Sequence, residues 1–309
     1  MLQVWDLDQS FFEANVVTGT LVSLKIDTGR RKRGGTEMGV NENYMWRMRI
    51  LLVSVLFALF MITGLSTVPS GQAGELAVAA ASDLSFAFKE LVPAFEQQTG
   101  EHVKLTLGSS GNFYAQIQNG APFDLFFSAD IGYPKKLEET SLVVPGSLYP
   151  YAVGRIVLWT GNGSQLDLSK GMEILREPTI KKIAIANPKH APYGRAAVAA
   201  MEQAQVYDRV KDKLVLGENI SQAAQFVESG AADVGIIALS LALAPPMQAA
   251  GHYWEIPADS YPPLEQGAVI LMGGKNQERA KAFLAFVQGA EGQAMMKRYG
   301  FIVPRSTKP

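Results

Sequence analysis

The segment AVAAASDLSFAFKE, residues 77–90, changes character half-way, and that change decides the fold. Its first five residues, Ala77 to Ala81, are small or branched and apolar, as a buried strand requires. Ser82 and Asp83 interrupt the run. From Leu84 the apolar positions Leu84, Phe88, Leu91 and Phe95 recur at spacings of four, three and four, one face of a helix. A strand that runs through a serine into an amphipathic helix is the repeating unit of an alternating α/β architecture. The hydroxyl at the seam has two readings. It caps the helix, or it joins the unpaired first-turn amides and the positive end of the helix dipole in holding an anion.

The same alternation continues along the chain. HVKLTLG, DLFFSAD, RIVLWTG, KKIAIANP, KLVLG, ADVGIIA and GAVILMG read as strands. Helical patterns lie around Phe113 and Ile117, in AAVAAMEQA, from Ser221 to about Ser229, and in ERAKAFLAFVQ and EGQAMMKRYG. Such alternation predicts a parallel, doubly wound α/β fold. Two Pro/Tyr-rich stretches, SLYPYAVG at 147–154 and DSYPPLEQG at 259–267, read as crossings. The chain is expected to leave one lobe, build a second and return, with a cleft between them.

Composition excludes several classes of function. The 309 residues are 48% hydrophobic and 18% charged with a net charge of −1, which is globular and lacks the basic footprint of a nucleic-acid binder. There is no cysteine, so disulfides, zinc thiolates and thiol nucleophiles are absent. The three histidines, His102, His190 and His252, are too dispersed for a histidine metal centre. Residues 45–73 carry a basic start (Arg47, Arg49), an apolar run from Ile50 to Leu65 and small residues ending at Ala73. This is a signal-peptide layout, too short for a span of roughly 20 residues, and it predicts export with cleavage after about Ala73. Residues 1–44 precede that start and are read as a non-native upstream extension.

Four seams between strand and helix share one design: Ser82; Ser110 in LGSSGNFYAQI; Pro192 and Tyr193 in NPKHAPYGRAAVAA; and Asn219 and Ile220 in GENISQAAQFV. Each alone is ordinary capping. In a doubly wound fold, however, ligands bind beyond the carboxyl ends of the strands, so four such seams facing one cleft form a binding site. A dianion buried there loses its hydration and needs many oriented donors in exchange. About seven neutral hydrogen bonds suffice, since each bond to a charged group contributes roughly 1.5–3 kcal/mol. Donors without an acceptor favour fully deprotonated ions: sulfate, molybdate and tungstate.

AAASDL, SSGNFYAQIQNGAPFDLFFSAD, NPKHAPYGRAA and the terminal MKRYGF resemble the periplasmic molybdate-binding proteins of bacterial molybdate importers. The resemblance spans essentially all of 74–309. It implies a two-lobed type II periplasmic binding fold of doubly wound mixed sheets joined by two hinge crossings. Lobe 1 is expected in 74–153 and 264–309, lobe 2 in 154–263. It further implies an exported monomer that closes on molybdate or tungstate, uses no cofactor, and passes the ion to the permease of an ABC importer. Ser82 and Ser110 would hold the oxyanion by hydroxyl and amide, Tyr193 and Ile220 by amide. Molybdenum enters only as the oxyanion, through the oxygens these four residues contact. Asp83, Asn112 and Asn219 would stand behind them, with the Asp83 carboxylate turned away to cap its helix. Family members also contribute a tyrosine hydroxyl from the strand matching GIIALS, where this chain has Ala238, so that contact is missing; the Tyr193 hydroxyl is a candidate replacement.

The rivals are a sulfate binder, a ferric-iron binder and a serine hydrolase. Iron capture calls for a Tyr-Tyr pair, and Tyr149 and Tyr151 are not adjacent. GSSG resembles the G-x-S-x-G nucleophile elbow but brings its second glycine one residue early after Ser110. A triad would add His190 or His252 and an aspartate such as Asp130 or Asp233. Trp159, Trp254 and the Met295-Met296 pair are read as packing residues.

Overall fold

A computed structural model describes residues 75–304. The upstream extension and the signal segment expected in 1–73 lie outside the described residues. The ten strands are β1 Leu76–Ala81, β2 Val103–Gly108, β3 Leu125–Ser128, β4 Tyr149–Gly154, β5 Ile156–Gly161, β6 Ile183–Ala186, β7 Leu214–Gly217, β8 Val234–Ala238, β9 Gly251–Glu255 and β10 Leu264–Ile270. The longer helices are α1 Ser85–Thr99, α2 Ser110–Gln118, α3 Gly132–Glu139, α4 Pro192–Gln203, α5 Ile220–Glu228, α6 Gln277–Gln288 and α7 Ala290–Arg298.

The strands form two five-stranded mixed sheets, ordered β2-β1-β3-β10-β4 and β7-β6-β8-β5-β9. In the first, β1 runs parallel to β2 and β3, and β10 is antiparallel to β3 and β4. In the second, β6 runs parallel to β7 and β8, and β5 is antiparallel to β8 and β9. The two orders match because each sheet receives one antiparallel strand at the same place: β5 as the chain enters the second sheet, β10 as it returns to the first. Helices flank both sheets, the two-lobed α/β arrangement of a type II periplasmic binding fold.

SLYPYAVG passes from the first sheet towards the second largely as strand. Tyr149–Gly154 pairs with β10, and Arg155 alone separates β4 from β5. The return runs from 256 to 263. Arg155 ties these paths together, donating to Glu255 Oε2 at 2.9 Å and to the Gly300 carbonyl at 3.1 Å. Apolar runs buried on both faces make the central strands, and α1 lays Phe88, Leu91 and Phe95 on the first sheet. Phe88 meets Phe127 edge-on at 5.1 Å, and Phe95 meets Phe283 of α6 at 5.0 Å. Gly100 ends α1 in the left-handed conformation (φ 72°), the usual stop for a helix. Trp159 is buried on β5 and Met296 is buried on α7, both as packing residues. Among the described residues no helix is long and apolar enough to cross a membrane.

Candidate oxyanion site between the two sheets

The four seams lie at the carboxyl ends of β1 and β2 in the first sheet and of β6 and β7 in the second. Those ends face each other. Ser82, Ser110, Tyr193 and Ile220 all line one small cavity of about 10 Å³, with Asp83, Ser109 and Ala129. No lysine, arginine or histidine lines it. Each of the four residues is at most 3% exposed.

What these residues offer the cavity follows from the bonds they already make. Ser109, not Ser110, caps α2, and its hydroxyl oxygen accepts the Asn112 amide. Ser110 is the first helical residue, so its N–H has no intrahelical acceptor. Its Oγ accepts the Ala129 amide at 2.9 Å, which leaves the O–H unspent. Ser82 Oγ accepts the Ser221 amide at 3.3 Å, again leaving a free O–H. Pro192 opens α4 and has no N–H to satisfy, and Tyr193 presents the next amide. Asn219 caps α5 by accepting from Gln222, so the Ile220 N–H is the open one. The cavity is thus ringed by neutral hydroxyl and amide donors and by two helix N-termini of eight or more residues from the second sheet, with Asp83 the one ionisable acid in its lining.

Several hydrogen bonds join the lobes around this cavity. Ser221 Oγ donates to the Ser82 carbonyl at 2.8 Å, and Ser240 Oγ donates to the Asp83 carbonyl at 2.7 Å. The Gly111 amide donates to the His190 carbonyl at 2.9 Å, an approach only glycine permits, since a Cβ there would sit 2.6 Å from that oxygen. Asn112 donates to Glu218, and Arg195 donates to Asp130 and stacks on Tyr133.

Asp83 departs from expectation. Its side chain makes no helix cap. It is buried at the base of the cleft, where Oδ2 accepts from Tyr193 Oη at 3.0 Å and from Gln266 Nε2 at 2.8 Å. Burial raises its pKa from 3.8 to about 6, opposed by those two hydrogen bonds. Burial first, and then the neighbouring Asp83, push the Tyr193 and Tyr151 phenols well above the usual range. The carboxylate turns inward because Tyr193, from the other lobe, offers it a donor. That bond also occupies the Tyr193 hydroxyl, so it does not replace a missing contact. Ala238, where a tyrosine is implied by resemblance, is buried at the end of β8 and does not line the cavity. Asn219 faces the neighbouring groove, and Asn112 points at Glu218 across the cleft rim.

The hydrolase geometry does not form on Ser110. His190 Nδ1 lies 2.8 Å from Ser109 Oγ, a serine that is 4% exposed and also bonds the His190 carbonyl. Asp130 is engaged by Arg195, and Asp233 accepts the amides of Lys181 and Lys182. Among the described residues no acidic or histidine cluster could hold a metal ion.

Residues 76–302 match a family described as bacterial extracellular solute-binding protein. The chain belongs to that family. Among its relatives, the molybdate-binding protein ModA of Azotobacter vinelandii is 40% identical over 232 residues, covering 75% of this chain and 91% of the relative. The ModA of Rhodobacter capsulatus is also 40% identical, over 245 residues, covering 79% and 94%. The solved structure of the Azotobacter vinelandii periplasmic molybdate-binding protein superposes with a TM-score of 0.71 at 34% identity, covering 75% of this solute-binding chain and all of that one.

Two residues of the site were not singled out from sequence. Gln266 was detectable: in LEQGAV the inward positions alternate, which aims a polar side chain at the core beside Leu264. Ser109 was not, because either serine of the SSG run can cap a helix.

Proposed function

We propose that this solute-binding protein captures molybdate, and tungstate by the same chemistry, between its lobes, where the cavity of about 10 Å³ widens to admit a tetrahedral ion, and delivers it to an ABC permease. The oxyanion accepts from the Ser82 and Ser110 hydroxyls and from the amides of Ser110, Tyr193 and Ile220. The role is capture in the periplasm by a monomer, with no chemical step performed on the ion. The observation that carries this reading is the convergence of unspent neutral donors from both sheets on one cavity without a cation. The 40% identity to two ModA proteins supports the same ligand.

Neutral donors suit the task. A dianion satisfied by dipoles is held tightly when the cleft is shut, yet no fixed positive charge retains it once the lobes part. Contact with both lobes is what makes ligand favour the closed form, because only differential affinity can shift the equilibrium. Thermal denaturation with molybdate, tungstate, sulfate and phosphate tests the reading. Ligand at a hundred times its Kd stabilises the folded state by about 2.7 kcal/mol, a shift of several degrees. Molybdate and tungstate are expected to give it at the lowest concentrations; phosphate giving the largest shift, or no oxyanion giving one, contradicts the proposal.

A further inference from the structure

Asp83 is a buried acid beside a cavity read as a dianion site, and no cation faces it. Its Oδ2 is bonded to Tyr193 and Gln266, but its Oδ1 has no partner. Gln266 Oε1, on the amide that donates to Oδ2, is equally buried and equally without a partner. Each of these two buried atoms is an acceptor left without a donor. Uncompensated burial of a carboxylate is costly, and a doubly negative guest one residue away raises the cost.

Resting on the molybdate reading above, we propose that Asp83 is a specificity-determining residue that enters the closed, loaded cleft as a neutral acid, so that capture of each oxyanion takes up one proton. The proton comes from solvent and sits on Oδ1, where it gives a donor to Gln266 Oε1 or to an oxygen of the guest. No other bond forms or breaks. As a carboxylate, Asp83 would instead accept from a protonated ion such as hydrogen phosphate; as a neutral acid it matches only ions that need no acceptor.

The surroundings bear on this assignment. Tyr193 on α4 and Tyr151 on β4 are the titratable groups facing Asp83, and both stay neutral well beyond physiological pH. The elements packed on its turn carry Lys89, Glu90 and Glu96 on α1, Lys104 on β2 and Glu228 on α5, and β10 and α4 carry Glu265, Arg195 and Glu202; all are exposed except Glu96, which is half-buried. The turn Leu239–Ala242 brings only the Ser240 hydroxyl, spent on the Asp83 carbonyl. When the cleft opens, Tyr193 departs with its lobe and Asp83 meets water, returning to the ordinary carboxylate range. A group whose pKa is higher in the closed form binds a proton on closure. Its contribution to affinity is present at low pH and fades as pH rises through the closed-form value of about 6.

The experiment is isothermal titration of molybdate into the whole exported protein, in two buffers of different ionisation enthalpy, at pH 5.5 and 7.5. With closed and open values of about 6 and 3.8, binding should take up roughly three-quarters of a proton or more at pH 5.5. The Kd should weaken at least about fourfold between pH 5.5 and 7.5. Asp83→Asn should bind with no proton uptake and a Kd that is flat across this range. Wild-type binding with no proton uptake at pH 5.5 overturns the proposal without touching the functional reading. Hydrogen phosphate binding that Asp83→Asn abolishes also overturns it. No heat from molybdate at either pH overturns the functional reading and the proposal with it. The wild-type proton count stands even if the variant fails to fold.

Discussion

The Ala129 amide donates to the Ser110 hydroxyl oxygen over 2.9 Å in the buried floor of the cleft. That bond commits the oxygen as an acceptor and frees its O–H to point into the cavity. Accepting one hydrogen bond also polarises the hydroxyl as a donor, which suits Ser110 to the anion of the proposed function.

Ser110→Ala therefore does two things. It removes a charge-assisted hydrogen bond, and titration calorimetry should show molybdate binding weakened about tenfold or more. It also orphans the buried Ala129 amide, which costs about 1–3 kcal/mol and should lower the Tm. A variant that binds as the wild type does, at a temperature where it is folded, contradicts this role.

Arg195 tests the closed form rather than the guest. It spans the cleft to Asp130 and Tyr133, but Arg195 and Asp130 are each more than a third exposed, and such pairs contribute at most about 1 kcal/mol. Arg195→Ala should raise the dissociation rate, and Kd, by no more than about fivefold. Stopped-flow release of molybdate measures it; a loss as large as that of Ser110→Ala would mean Arg195 holds the ion.

Gly194 is fixed by close approach. A Cβ there would lie 2.0 Å from the Ala186 carbonyl oxygen and 2.9 Å from the Pro188 nitrogen, both backbone. Gly194→Ala must push the start of α4 away from β6, at a cost of about 1–3 kcal/mol. A Tm lower by several degrees is expected in thermal denaturation, with weaker molybdate binding because the Tyr193 amide moves too. An unchanged Tm would show that α4 is not seated as described.

Much of this was legible in the sequence. Continuous apolar runs such as LAVAAA and IAIA, each followed by a helical period, define the sheets, and the seam residues Ser82, Ser110, Tyr193 and Ile220 meet at one cavity. Strands β4 and β9 were not legible. Their YPYAVG and GHYWE carry proline, glycine and aromatics without clean alternation, and only pairing with β10 and β5 makes them strands. The orientation of Asp83 was hidden for a related reason. Local rules send an aspartate at a helix start to cap it, and the donor that overrides them, Tyr193, is 110 residues away.

The most direct measurement is anomalous difference density at the molybdenum absorption edge, from crystals grown with molybdate. The account predicts one strong peak between Ser82, Ser110, Tyr193 and Ile220, with its oxygens in hydrogen-bond range of those hydroxyls and amides and no cationic side chain beside it. A peak elsewhere on the molecule, with only water between these four residues, would contradict it.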